Sequence, residues 1–357
     1  MDGPRPPLEQ ELTEVVELVN TVFSPEDRTM GLEFPQLFSG GNLDRLRVFV
    51  DQTAGIPVAH GGYVAQELVV EGWRIPVAAL GSVCTLPAYR GKGLASRLVE
   101  SIMDQARSEG LVMMLISGDS NVYKRLGAVE TGDFVRVEAH QDQLSYLCEI
   151  ARAWGDDREI VCRQAGAEDV PSMAATYRRE PVRYARSVKD FHELAWWRSD
   201  VKRLYAYESI QVACTGRETL AYIVTRVRTL DGGGVRLHVP EFAGPRWAVA
   251  CLVGHACTAF SPNVLTMTVC SSDRDMVETL RRAALPLRRT TLPGYTVMAL
   301  DSSALLSSAG SIISERGGAA RDDSLSRLLA ISGADLVKAL FGGTDAIPLP
   351  VPGLNFI

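Results

Sequence analysis

The segment GSVCTLPAYRGKGLASRL, Gly81 to Leu98, constrains this chain more than any other. Trp73 to Thr85 has strand character and halts at Pro87, where ladder hydrogen bonding must pause. A turn, Arg90-Gly91-Lys92-Gly93, then opens into a stretch whose apolar residues Leu94, Leu98, Ile102 and Ala106 fall on one helix face as far as Gly110. A helix that starts this way presents N–H groups without intrahelical partners beside the positive end of its dipole. Glycines at 91 and 93 allow unusual backbone angles and close approach, while Arg90 and Lys92 add charge. The junction therefore reads as a cradle for a diphosphate.

Of two other phosphate-binding motifs, the first is excluded and the second disfavoured. A P-loop needs a Gly-Lys-Ser/Thr that is missing, and the G-x-G-x-x-G spacing of a dinucleotide fold fails at Arg97. Leu111 to Ile116 (LVMMLI) follows as an uninterrupted apolar run of strand length, the pattern of a strand buried on both faces. Just beyond it, Ser117 to Gly127 (SGDSNVYKRLG) contains a helix turn at Asn121 to Leu126 that carries Tyr123.

These residues resemble the GNAT superfamily of N-acyltransferases: Arg90-x-x-Gly93-x-Ala95 matches its R-x-x-G-x-[GA] signature, with the strand, Pro87 and the helix in the expected order. The resemblance implies an α/β fold with a mixed twisted sheet flanked by helices. It also implies acetyl-CoA as cosubstrate, with Val83, Cys84 and Thr85 lining pantetheine and Arg90, Gly91, Lys92, Gly93, Leu94, Ala95 and Ser96 binding the phosphates. Tyr123 matches the position of the superfamily's general acid, which protonates the departing thiolate. For the base that relieves the acceptor amine of its proton, Asp119, Glu33 and His60 are candidates by rough location. Cys84, on a strand beside the cofactor, is expected to supply backbone contacts rather than a nucleophile.

The whole-chain plan resembles the enhanced-intracellular-survival family within that superfamily. That family has an active GNAT domain, a second GNAT-like domain without a working cofactor loop, and a C-terminal region. Asp119, four positions before Tyr123, matches its local pattern, and the second junction Val239 to Arg246 (VPEFAGPR) lacks the cradle signature. The expected domains are 1–153, catalytic; 159–300, degenerate GNAT-like; and 301–357, a helical region and apolar tail. In that family the C-terminal carboxylate is the base, which here would be that of Ile357. The residues after Leu300 amount to roughly half of an ordinary further domain. An oligomer is compatible with the resemblance.

The second half is expected to repeat the element order of the first. Strands are predicted at Ile210 to Thr215, Leu220 to Val227, Val235 to Val239 and Val264 to Val269, with a helix at Trp247 to Phe260. Further strands are predicted at Leu144 to Ile150 and Leu204 to Tyr207, and a helix at Leu325 to Phe341. Trp196-Trp197 reads as packing between domains, and Arg281-Arg282 with Arg288-Arg289 as a solvated face. The apolar tail IPLPVPGLNFI should be docked, because an exposed terminus so apolar would be unusual.

At 357 residues, 46% apolar and 22% charged, the chain is long enough for two or three ordinary globular domains. A net charge of -6 argues against nucleic acid as partner. The seven cysteines show no C-x-x-C pair, so a metal site is not expected and free thiols in a reducing compartment are. With no signal-peptide pattern and no long apolar run, a cytoplasmic protein off the membrane is expected. The acceptor, a small-molecule or peptide amine, is left open. The competing reading is a non-catalytic, CoA-responsive binding or regulatory protein.

Overall fold

The computed structural model describes residues 1–196, 207–216, 218–292, 294–316, 328, 330–343 and 346–355. Its architecture is mixed α/β: two seven-stranded sheets, each flanked by helices.

The first sheet runs in the order β1 (Asp2–Arg5), β2 (Leu46–Asp51), β3 (Ile56–Val70), β4 (Trp73–Thr85), β5 (Met113–Ser117) and β14 (Tyr295–Ala299), with β8 (Val182–Tyr184) paired to the far end of β3. β4 and β5 are parallel and pair over Val77–Leu80 and Met113–Ile116. The helix α3 (Leu94–Ser108) that connects them buries Leu94, Leu98, Val99, Ile102, Met103 and Ala106. Burying each of these side chains other than Ala106 stabilises the packing by about 1.5–3 kcal/mol. On the opposite face α1 (Leu12–Phe23) covers β3 and β4 with Val15, Leu18 and Val19.

The second sheet has the order β13 (Leu287–Thr290), β6 (Phe134–His140), β12 (Val264–Cys270), β11 (Val235–Ala243), β10 (Glu218–Thr229), β9 (Tyr207–Thr215) and β7 (Val161–Gln164). The two sheets exchange strands. β6 precedes most of the second sheet in sequence yet sits between β12 and β13, whereas β14 and β8 come from the second half and complete the first sheet.

Residues 144–150, expected as a strand, are helical within α5 (Gln141–Asp156). Leu144, Leu147 and Ala151 are buried at helical spacing, and the side chain of Gln143 accepts from the His140 N–H at 2.9 Å to close the first turn. Helix α8 (Arg246–Phe260) lies so close that a Cβ at Gly254 would come within 2.4 Å of the Ala151 methyl. Tertiary packing therefore overrides the strand propensity of Tyr146 and Ile150.

The Ser- and Ala-rich stretch after Asp301 forms a helix, α10 (Ser302–Arg316), which buries Leu305, Leu306, Ala309 and Ile312. In the last predicted helix only α11 (Gly333–Phe341) is described, and residues 325–327 and 329 of that prediction lie outside the described residues. So do most of the predicted strand at Leu204 to Tyr207, and Trp197.

The tail is docked: Ile347, Leu349 and Leu354 are buried. It is fixed by a buried ion pair between the sheets. Arg186, just after β8, donates to both oxygens of Glu241 on β11 at 2.8 Å and to Asn355 Oδ1 at 2.6 Å. Glu241 also accepts from Tyr222 Oη and the Leu354 N–H. Burial opposes charging Glu241, but the Arg186 guanidinium outweighs it and holds the carboxyl below the usual range.

With the folded value depressed, this stabilisation is complete above the ordinary carboxylate range and is lost as pH falls through the depressed value. Arg186→Met strands a buried carboxylate, so it should cost about 3–5 kcal/mol. Urea denaturation at neutral pH checks this, and an unchanged midpoint would contradict it.

Candidate acyl-CoA site

The site begins where β4 and β5 part. Their pairing stops at Leu80, but β4 continues to Thr85 through a bulge at which Ser82 takes φ 56°, and no described strand pairs with it on the β5 side. Ser117, the last residue of β5, reaches back with its hydroxyl to the Leu80 carbonyl at 3.3 Å. The result is a splayed notch, edged by Val83, Cys84 and Thr85. Thr85 Oγ1 is buried and meets no partner among the described residues. The Cys84 thiol is pushed up to about 12, mainly by burial, so it stays protonated and is no ready nucleophile.

Arg90 to Ser96 close the notch at one end. Gly91 and Gly93 have φ of 76° and 73°, and a Cβ at either would meet nothing within 4 Å. Gly93 is the N-cap of α3, and no side chain caps that helix start. Its first N–H groups face open space where an anion can sit. Around them, Arg90 Nε donates to the Thr85 carbonyl at 3.2 Å, and Lys92 Nζ lies 4.8 Å from the Tyr89 ring centroid. Tyr89 is itself held by its hydroxyl donating to Asp51 at 2.6 Å. These exposed, positively charged donors fit a diphosphate.

Tyr123 lies at the other side of the notch on α4 (Asn121–Arg125), whose start Ser120 caps by accepting from the Val122 N–H. The phenol is buried against the core under α3. Burial, with a smaller contribution from Cys84, raises it to about 12, so it holds its proton at neutral pH. The loop before α4 is held by the exchanged strand: the Gly118 N–H donates to the Gly294 carbonyl at 2.9 Å and Thr296 Oγ1 to the Gly118 carbonyl at 3.1 Å. Neither Gly294 nor Thr296 carries a motif, and only the fold brings them here.

The three base candidates fare differently. Asp119 is 78% exposed and 3.8 Å from Lys124, and Glu33 accepts from Thr29 on the short helix α2 (Met30–Glu33). His60 pairs opposite Cys84 in the β3–β4 ladder and is fully buried, its ring nitrogens without partners among the described residues. Burial pushes it down to about 3, which makes it a neutral imidazole. Ile357 lies outside the described residues, and the described tail ends at Asn355.

At the equivalent junction of the second sheet the donors are taken from within, beside a cavity of about 590 Å³ that Glu180, Gly244, Pro245 and Arg246 help to line. β11 and β12 are parallel over Arg236–Val239 and Val264–Met267, and β11 then runs on to Ala243 before α8 begins. The Glu180 carboxylate takes the Gly244 N–H at 2.8 Å and both ends of the Arg246 guanidinium, at 2.9 and 2.6 Å. Pro245 has no N–H to offer. An internal carboxylate thus takes donors that an external phosphate would need. Among the described residues no cluster of His, Cys, Asp and Glu could hold a metal ion, and no helix is long and apolar enough to cross a membrane.

A family model, the acetyltransferase (GNAT) domain, matches residues 4–130. A search of curated proteins finds no match. Among solved structures, the chain is similar to a GCN5-related N-acetyltransferase from Anabaena variabilis, with TM-score 0.62 and 12% identity over 84% of this chain and 73% of that one. It is also similar to Eis1 from Mycobacterium abscessus, with TM-score 0.56 and 16% identity over 85% and 74%. The N-myristoyltransferase of Saccharomyces cerevisiae, solved with bound myristoyl-CoA, gives TM-score 0.52 and 12% identity over 83% and 84%. At these identities the structural likenesses speak for the fold, and the sequence model speaks for residues 4–130. Residues 4–130 thus match the model of the acetyltransferase (GNAT) domain, and the structural likenesses give the chain a GNAT-like fold.

Proposed function

We propose that the protein transfers an acetyl group from acetyl-CoA directly to an amine in a ternary complex. The observation that carries this reading is the uncapped, glycine-lined start of α3 beside the unpaired edge of β4. Arg90 to Ser96 would hold the diphosphate and Val83 to Thr85 the pantetheine arm. Acetyl-CoA supplies the thioester carbonyl that the amine attacks.

As the new C–N bond forms and the C–S bond breaks, charge develops on sulfur, and the protonated Tyr123 phenol is suited to neutralise it. The amine must lose a proton in the same exchange. We assign that role to the carboxylate of Ile357 on the strength of the family resemblance. With Cys84 protonated and buried, no acyl-enzyme is invoked. The acceptor is a small-molecule or peptide amine.

Calorimetric titration of acetyl-CoA should give saturable binding to the wild type and none to Gly93→Trp, whose indole would fill the cradle. A folded wild type that fails to bind would overturn the cofactor assignment. Tyr123→Phe should keep acetyl-CoA affinity and lower kcat about a hundredfold or more in a thiol-release assay over an amine panel; an unchanged kcat removes the phenol from the chemistry. Extending the chain by a few residues past Ile357 should nearly abolish turnover without changing acetyl-CoA affinity, and full activity in the extended protein excludes the carboxylate as base.

A further inference from the structure

The second sheet carries a cavity of about 250 Å³ on its face away from α8, remote in sequence from the acyl-CoA site. Four arginines line it: Arg136 on β6, Arg226 and Arg228 on β10, and Arg236 on β11. The strand register explains why they meet. Arg226 stands opposite His238 and Arg228 opposite Arg236, while Arg136 stands opposite Thr268 one strand further on. Alternation sends Leu237, Val239, Leu265 and Met267 to the apolar core and leaves the arginines together on the other face. The described lining contains no carboxylate.

We propose that this cavity binds a small phosphate-type oxyanion, either free phosphate or the phosphate group of a small ester. Guanidinium groups remain charged at every relevant pH, so four beside one small volume give it a positive field that suits an anion.

Outside the cavity, Glu208 is 2.5 Å from Arg226 and Glu138 is 3.0 Å from Arg136. Arg236 differs, since its Nε is buried and meets no acceptor among the described residues. A desolvated donor of this kind costs free energy until an acceptor reaches it.

His238 reports the same positive field. Burial first, and then Arg226, Arg136 and Arg236, push it down to about 4, so it is a neutral ring whose Nδ1 sits 3.0 Å from Thr266 Oγ1. The hydroxyls of Thr266 and Thr268 give the cavity uncharged donors as well. Size sets the ligand class, because about 250 Å³ falls short of the ~300–1,000 Å³ that hold drug-sized molecules. A phosphate group fits where a whole nucleotide or CoA does not.

The test titrates inorganic phosphate, and separately glycerol 3-phosphate, into the full chain at constant ionic strength, with calorimetric detection and circular dichroism to verify folding. Saturable phosphate binding is expected, with affinity reduced about tenfold or more in Arg236→Gln and partly restored in Arg236→Lys. Glycerol 3-phosphate binding with the same dependence on Arg236 identifies an esterified ligand; binding of inorganic phosphate alone identifies the free ion. Gly93→Trp should leave phosphate binding intact. The proposal is overturned if neither probe saturates the folded wild type, if Arg236→Gln binds as well as wild type, or if Gly93→Trp abolishes binding while Arg236→Gln keeps it. That last result would put the phosphate in the cradle of the first domain.

Discussion

The early end of the β4–β5 pairing governs the rest of this structure. Parallel strands hydrogen-bonded along their whole length would leave no backbone edge for a ligand and no room for one. Here the ladder stops at Leu80 and the bulge at Ser82 turns β4 aside, so Val83 to Thr85 border a notch. Helix α3 starts at the mouth of that notch because the connection from β4 runs through Gly91 and Gly93, and Tyr123 closes the far side because α4 follows directly on β5. Donors, strand edge and phenol are all consequences of one interrupted ladder.

The exchange of strands ties this notch to the rest of the chain. β14 pairs along the outer edge of β5 and holds the Gly118 loop, so the orientation of Tyr123 depends on residues from the second half. In return, β6 is built into the second sheet between β12 and β13. Between the sheets, Arg186 and Glu241 are buried together and fasten the tail at Leu354 and Asn355. Such a pair adds little net stability over an apolar alternative, but either partner alone would be costly, which favours one docked arrangement of the tail.

The two junctions show how the same backbone motif can be kept or closed. Both have a parallel pair that ends early and a helix that begins beside the gap. In the first, the helix start is left bare by glycines. In the second, Pro245 removes a donor, and Glu180 takes the Gly244 N–H and pairs with Arg246. The sequence reveals the loss of the signature at Val239 to Arg246, but it cannot reveal Glu180, which lies far away in sequence and reaches the junction only in the folded chain.

Much of the first site is legible in the sequence because its elements are local. The strand, the glycine turn, the helix face from Leu94 to Ala106 and the position of Tyr123 all follow from neighbouring residues whose spacing and backbone preferences need no tertiary information. Reading Leu144 to Ile150 as a strand fails for the opposite reason: a short apolar run suits either period, and contact with α8 decides it. Sequence alone thus determined the local grammar of the cradle, where conformational preference acts over a few residues. Only the tertiary structure decided which strands the sheets exchange, that Gly294 and Thr296 support Tyr123, that Arg186 meets Glu241, and that four arginines share a cavity. Those outcomes depend on burial and hydrogen bonding between segments far apart in the chain, and no local pattern encodes them.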